Sequence, residues 1–399
     1  MNMELYDLTN PQKSIWLTEQ YYKGSSINNV CGTVLIDDIV NFDILSKAIN
    51  VFLRDNDSFR IHLLIDNDGN VKQKIVEYSE QDFVVTNIED NDDLLLFESK
   101  LARTPFDIIE HDLFKMSPYR LPTGKGGFVV TAHHIIADAC TASLVASKIM
   151  SIYSSLLKDE YVLSTPTSYI NYINSEKEYL NSPKFEKDKE YWEEQFKSVP
   201  EFGIIPSLKD SSVESCSAER KVFEINNLLL NEINTFCKDN RISLFNFFMA
   251  IYALYIGRVS NLNDFVLGTP ILNRTTFSEK ITPGMFISTV PFKFSTQKND
   301  TFVQFAQKIG LDSLSMFRHQ KYPYQEILEY IRKNNPSQPN LYDILISYQN
   351  SKTNRNNCDV QYSVRWTFNG NVADSMQIHI FDMNDEGSLN VAYDFRLNK

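Results

Sequence analysis

FVVTAHHIIADACTASLVASKIMSIY, residues 128–153, decides the fold. Phe128 to Ala132 are β-rich and alternate, the pattern of a buried strand. From Ala139 to Tyr153 apolar residues recur every three or four positions, the pattern of a helix. Between them stand His133, His134 and, four residues on, Asp138. Three chemical readings compete: a metal site, satisfied core histidines beside a capping aspartate, and a general base. Strand side chains alternate faces, so His133 and His134 point to opposite sides of the sheet and do not share an ion. No other His or Cys cluster completes a metal shell, and no metal is expected. In the base reading one imidazole faces a cavity while the other, with Asp138, holds the turn. An unperturbed histidine pKa of ~6.5 suits proton abstraction near neutrality. On these residues alone, the core and base readings both stay open.

Composition narrows the function classes. The 399 residues suffice for two domains or lobes. A hydrophobic content of 43% with 23% charged residues is ordinary for a globular chain. No apolar run approaches the ~20 residues of a membrane span, and the opening MNMELYDLTN is too polar for a signal peptide. A cytoplasmic location is therefore expected. The formal charge of −12, without a long basic run, argues against nucleic acid as a partner. Cys31, Cys140, Cys216, Cys237 and Cys358 lack CxxC spacing and read as free buried thiols.

Upstream, residues 8–24 (LTNPQKSIWLTEQYYKG) read as a helix capped by Thr9 or Asn10, with Pro11 in its first turn. CGTVLID (31–37) reads as a strand and residues 42–57 as a helix. Residues 55–78 read as a hairpin turning at Asn67-Asp68-Gly69-Asn70, with Arg60 entering its first strand. Residues 82–102 give a short strand, an acidic loop and a helix. LFKMSPYRLP and GGFVVTAHH form a second hairpin, with Lys125-Gly126-Gly127 at the turn. Downstream, residues 164–196 are polar and helical, and the Ser- and Pro-rich stretch 199–220 is the linker candidate, placing a boundary near 165–215. The second half restarts with a strand (ERKVFEI) and a helix (LLLNEINTFCKDNR). SLFNFFMAIYALYIGRVS (243–260) is apolar enough to require burial, and DFVLGTPILNRT (264–275) reads as a strand turning at Gly268-Thr269-Pro270.

HHIIADA resembles the HHxxxDG motif of nonribosomal peptide synthetase condensation domains and of related acyltransferases of the chloramphenicol acetyltransferase type, with Ala139 where the family has Gly. Six further regions follow the family's order. They are the helix with Gln12 and Trp16; the segment closing on Arg60; the helix with Tyr169 and Tyr172; Gly268-Thr269-Pro270 with Asn273-Arg274, continuing through Gly284, Phe286 and Thr289; His319-Gln320 before Tyr322-Pro323-Tyr324; and NLYDILISYQN, 340–350. The resemblance covers essentially the whole chain. LTNPQKSIWLTEQYY, SPKFEKDKEYWEEQFKSVPE, GMFISTVP and RHQKYPY look closest to starter-type domains at the front of lipopeptide synthetases, and a start at Met1 agrees. The chain stops at Lys399, where family members usually add a last helix and a linker to an adenylation domain. The fold implied is α/β (an α+β sandwich): two chloramphenicol acetyltransferase-like lobes, 1–175 and 176–399, form a V-shaped pseudo-dimer with the active site in a tunnel between them.

The reaction implied is acyl transfer, in which an amine attacks a thioester carbonyl to give an amide. Under the resemblance His134 faces the tunnel and takes the proton, or positions the amine and stabilises the tetrahedral intermediate. His133 turns away as a structural residue. Asp138 pairs with Arg60 to shape the turn, and Arg274 organises the tunnel floor. Ser347 and Asn350 are candidates for substrate contact, with ordinary polar strand and loop roles equally open. The methyl of Ala139 narrows the channel or alters the turn. No cofactor stays bound: substrates ride on phosphopantetheine of partner carrier proteins, or on CoA for the donor. The partners implied are a peptidyl carrier protein, an adenylation domain, and an acyl-CoA or acyl carrier protein, with the chain itself a monomer. A starter domain would N-acylate the first amino acid with a fatty acyl group. The alternatives are an elongation domain with a peptidyl donor, or a catalytically silent recruitment module. A cyclising domain needs an Asp at the His133 position, and an epimerisation domain needs a glutamate that the sequence does not place.

Overall fold

The computed structural model describes residues 4–160, 166–198, 201–202, 215–336, 338, 340–350, 358–382 and 388–397. They form two compact units. One contains Met1–Glu178, Arg274–Phe286 and Lys352–Asn371; the other contains Tyr179–Asn273, Ile287–Ser351 and Val372–Lys399. The expected halves, 1–175 and 176–399, are therefore corrected: two segments from the second half belong to the first unit. Of the linker candidate, residues 199–200 and 203–214 lie outside the described residues.

The first unit is built on the strand Gly126–His133, buried at every position. It pairs antiparallel with Asn29–Ile36 and with Phe114–Arg120. Tyr362–Thr367 and Thr86–Asn87 complete a five-stranded sheet. A strand covered on both faces needs an almost continuous apolar run, which is what residues 128–132 supply. Phe128, Val130 and Ala132 pack with Leu45, Ile49 and Phe52 of helix Phe42–Asp55 and with Val145 and Ile149 of helix Ala139–Leu157. On the other face, Val129 clusters with Leu94 and Leu101 of helix Asn91–Ala102. Each such buried side chain stabilises by roughly 1.5–3 kcal/mol. Helix Ala139–Leu157 is long and apolar enough to cross a membrane by composition, yet half of its apolar window is buried inside the fold. A smaller sheet, Tyr6–Asp7, Val71–Ile75 and Ile61–Ile65, contains the expected hairpin. The second hairpin turns earlier than expected: Leu121 N–H donates to Lys125 O at 2.9 Å, so Gly126 and Gly127 already lie in the strand.

The second unit holds a seven-stranded sheet in the spatial order Ser288–Ser295, Asp264–Ile271, Ile344–Gln349, Met376–Phe381, Leu389–Arg396, Ala218–Ile225, with Glu201–Phe202 also beside Asp264–Ile271. Ile344, Ile346, Ile378 and Ile380 pack with Met249, Ala253 and Ile256 of helix Leu244–Ser260 and Ile309 of helix Phe302–Arg318. Two expectations are corrected here. The chain does not turn at Gly268-Thr269-Pro270; the strand runs on to Ile271. Gly268 is required because a Cβ there would lie 2.6 Å from the Tyr342 ring. Helix Leu244–Ser260 is buried along one side only, since Ile251, Tyr255 and Val259 are exposed.

Candidate active site

The site grows from the end of the central strand. His133 lies on the same sheet face as Val129 and Thr131, and is 1% exposed. The backbone N–H of Ile135 donates to His133 Nδ1 at 3.2 Å. Nδ1 is therefore unprotonated, and Nε2 carries the hydrogen that it donates to Glu19 Oε2 at 3.2 Å. Asn28 Nδ2 donates to the same oxygen at 2.8 Å. Burial raises the pKa of the Glu19 carboxyl, but the hydrogen bonds from His133 and Asn28 outweigh it and hold the group below its ordinary value. His133 is thus a neutral, fixed anchor for the turn.

His134 is different. Its backbone N–H donates to Asn28 O at 2.7 Å, and the residue is only half-buried. Its Nδ1 is buried and has no hydrogen-bond partner among the described residues. Burial lowers its pKa below 6.5, and the negative charge of Asp138 only partly counters this. The imidazole is therefore neutral near pH 7. The turn is clamped from below as well: Gln12 Nε2 donates to Ile135 O at 3.1 Å, and the Gln12 and Gln73 amides pair with each other at 2.9 Å.

Asp138, fully buried, is the hub. As N-cap of helix Ala139–Leu157 it accepts from Thr141 N at 2.7 Å and from Thr141 Oγ1 at 2.9 Å. Its partner is Arg274, whose Nη2 lies 3.0 Å from each carboxylate oxygen. Phe286 N–H adds a further donor at 3.1 Å. Arg274 is itself enclosed: Nη1 donates to Thr282 O at 2.6 Å and to Glu279 O, and its guanidinium lies 3.9 Å over the Phe286 ring. Asn273, in the left-handed conformation at φ 55°, turns the chain so that Arg274 enters this hub. Gly284 completes it. The Gly284 N–H donates to Thr141 Oγ1 at 2.9 Å, and a Cβ would meet the Tyr169 ring at 2.3 Å. The Tyr169 hydroxyl donates to Met285 O at 2.5 Å and holds that segment in place.

The structure brings His134, Asp138, Ala139 and Arg274 together and sets His133 on the far face. The expected Arg60–Asp138 pair is not formed. Arg60 Nη1 instead donates to Val76 O at 2.7 Å, and Arg274 takes the carboxylate. Ala139 enters as the first helical residue behind Asp138. Ser347 lies buried in strand Ile344–Gln349 of the second unit, and Asn350 is exposed just beyond it. Sequence reasoning missed Glu19 and Thr141. Glu19 shares a helical face with Gln12 and Trp16, and an acid on that buried face was the available signal.

A fully buried strand delivering a neutral histidine, beside a helix cap locked by an arginine, defines an acyltransferase-type site on a mixed α/β fold. Residues 2–396 match the condensation domain family, and the chain belongs to it. These domains are the amide-bond-forming acyltransferases of nonribosomal peptide synthetases. The chain is 33% identical over 99% of its length to part of surfactin synthase subunit 1 and 27% identical over 99% to part of a plipastatin synthase, both from Bacillus subtilis (strain 168). It spans 11% and 16% of those two relatives. A variant of the starter condensation domain of rhizomide synthetase, in complex with C8-CoA, shares the fold with a TM-score of 0.84 at 19% identity, covering 98% of this chain and 89% of that one.

Proposed function

We propose that this chain is a starter condensation domain: His134 serves the attack of a carrier-bound aminoacyl amine on a fatty acyl thioester. The observation that carries the reading is the neutral, half-open His134 beside the fixed Asp138–Arg274 pair. With Nδ1 enclosed, Nε2 is the nitrogen left to receive the amine's proton. As the amine attacks, the C–N bond forms, the proton passes to Nε2, and the thiolate leaves and is protonated. Such a base contributes roughly 10²–10⁴-fold, and holding both substrates in place contributes ~7–11 kcal/mol more. The buried Asp138 charge favours the imidazolium as it forms.

The starter assignment draws on two supports. The surfactin synthase relative above is the one numbered 1 in its series. The similar rhizomide starter domain is in complex with an acyl-CoA. The partners in this reading are a peptidyl carrier protein, an adenylation domain and an acyl-CoA or acyl carrier protein. The phosphopantetheine arms belong to the carriers, and the work is cytoplasmic. The roles of His134, His133, Asp138 and Arg274 are part of this proposal.

The test is intact-mass analysis of an aminoacyl-loaded carrier protein incubated with the chain and a panel of acyl-CoAs, beside His134→Ala. An added acyl mass that disappears in the variant is the expected result. Transfer only from a peptidyl carrier would assign the elongation class instead. No transfer from either donor would leave a silent recruitment module.

A further inference from the structure

Residues 26–29, which lead into strand Asn29–Ile36, reach both histidines of the motif at once. Asn28 O accepts the His134 backbone N–H, and Asn28 Nδ2 donates to the Glu19 carboxylate that holds His133. The placement of His134 therefore depends on where this one carbonyl is kept. Ser26, Asn28 and Asn29 are all buried, and a buried polar segment persists only where its groups find partners.

Several of those partners come from late in the chain. Strand Tyr362–Thr367 pairs antiparallel with Asn29–Ile36 and ends with Thr367 opposite Cys31, which carries Asn369 alongside residues 27–29. Asn369 Nδ2 donates to Ile27 O at 3.0 Å and to Asn29 O at 2.9 Å, the two carbonyls that flank Asn28 O. Both of its amide hydrogens are thus used. Asn369 Oδ1 accepts from Asn371 N–H at 2.9 Å, which fixes the amide with its donors toward those carbonyls. Asn369 O accepts from Ser26 Oγ at 3.2 Å and from Asn371 Nδ2 at 3.1 Å. Gly370, at φ 84°, makes the turn between the two asparagines. All of these residues belong to the first unit, as His134 does.

We propose that Asn369 is a positioning residue for His134: by gripping the carbonyls on either side of Asn28 it fixes the Asn28 carbonyl that holds the His134 backbone. The inference rests on the condensation reading above. It requires no contact between Asn369 and a substrate.

The experiment measures steady-state amide formation and, by NMR of the full chain, the imidazole ring signals of its six histidines. Asn369→Ala, and Asn369→Asp, which keeps Oδ1 but offers no donor, should each lower kcat about 10-fold with KM unchanged for both substrates. Misplacing a reacting group by about 1 Å costs as much as ~10²-fold. In the His134→Ala background the same substitutions should cause no further loss. The His134 ring signals should shift while those of His319 and His379, in the second unit, stay in place. Arg365→Leu breaks the pair with Glu98 from the same late strand without touching residues 26–29, and should leave kcat at the wild-type value. Asn371→Ala removes the side-chain braces on Ser26 and Asn369 O. It should lower kcat about two- to threefold, and it keeps the proposal falsifiable if the Asn369 variants fail to fold. An unchanged kcat, a loss that persists in full beside His134→Ala, or an equal loss in Arg365→Leu overturns the proposal. A wild-type chain that forms no amide from any thioester overturns the condensation reading instead. The ring signals then decide alone, and an unmoved His134 signal overturns the positioning.

Discussion

Asp138 and Asp394 present the same chemistry in two settings. Each is a buried carboxylate held by an arginine near a histidine. Asp138 is fully buried, and its arginine is 2% exposed. It gathers donors from Thr141, Arg274 and Phe286, far apart in the chain. Asp394 sits in a regular sheet, its partners Arg220 and His379 come from the two neighbouring strands, and Arg220 keeps 22% of its side chain exposed. The first pair closes a tertiary turn; the second ties neighbouring strands together. A buried ion pair adds little net stability when formed, but breaking one strands a charge, so enclosure of the partner decides the cost.

The largest expected contrast is between the histidines. His134→Ala should lower amide formation by about 10²–10⁴-fold with unfolding unchanged, whereas His379→Phe should leave the rate near the wild-type value. Comparable losses would erase the distinction between a reacting group and a structural one. Next, Arg274→Met should destabilise by about 3–5 kcal/mol in denaturant melts, because Asp138 stays buried without its cation. Arg220→Met, whose loss water can partly compensate, should cost about 1–3 kcal/mol; equal costs would show that enclosure is not what matters. A third test uses pH. His134 must be neutral to act, so kcat/KM should fall as pH drops, with a midpoint below 6.5 because burial disfavours the imidazolium. Asp138→Asn removes the charge that favours the imidazolium and should move this limb to still lower pH; a shift upward would contradict the assigned field. The smallest effect belongs to Ala139→Gly. Glycine at the first helical position should cost up to about 1 kcal/mol, with kcat/KM unchanged. A gain in rate on Ala139→Gly would show that the methyl obstructs substrate.

Much of the first hub was legible in the sequence and its closure was not. Alternation in Phe128–Ala132 set the two histidines on opposite faces, and the position of Asp138 before an apolar helix marked a cap. Its partner was another matter. Arg60 and Arg274 are chemically equivalent candidates, and only tertiary structure shows that Asn273 turns the chain toward Asp138 while Arg60 spends its guanidinium on Val76 O. The polar residues around Asp394 show the opposite balance. Alternation in ILISYQ, MQIHIF and LNVAYDFR already places Ser347, Gln349, His379 and Asp394 off the apolar face. Strand order, which alternation within each strand does not dictate, was the missing step. Gly268 misled for a related reason: a glycine beside a proline reads as a turn, whereas here it makes room for the Tyr342 ring.

The way the first unit borrows chain from the second half bears on recombination. A gene fusion that transplants residues 1–178 alone would leave Asp138 without Arg274 and strand Asn29–Ile36 as a bare edge, missing Tyr362–Thr367. Swapped parts must carry 274–286 and 352–371 with them, so the smallest inheritable cassette is close to the whole domain.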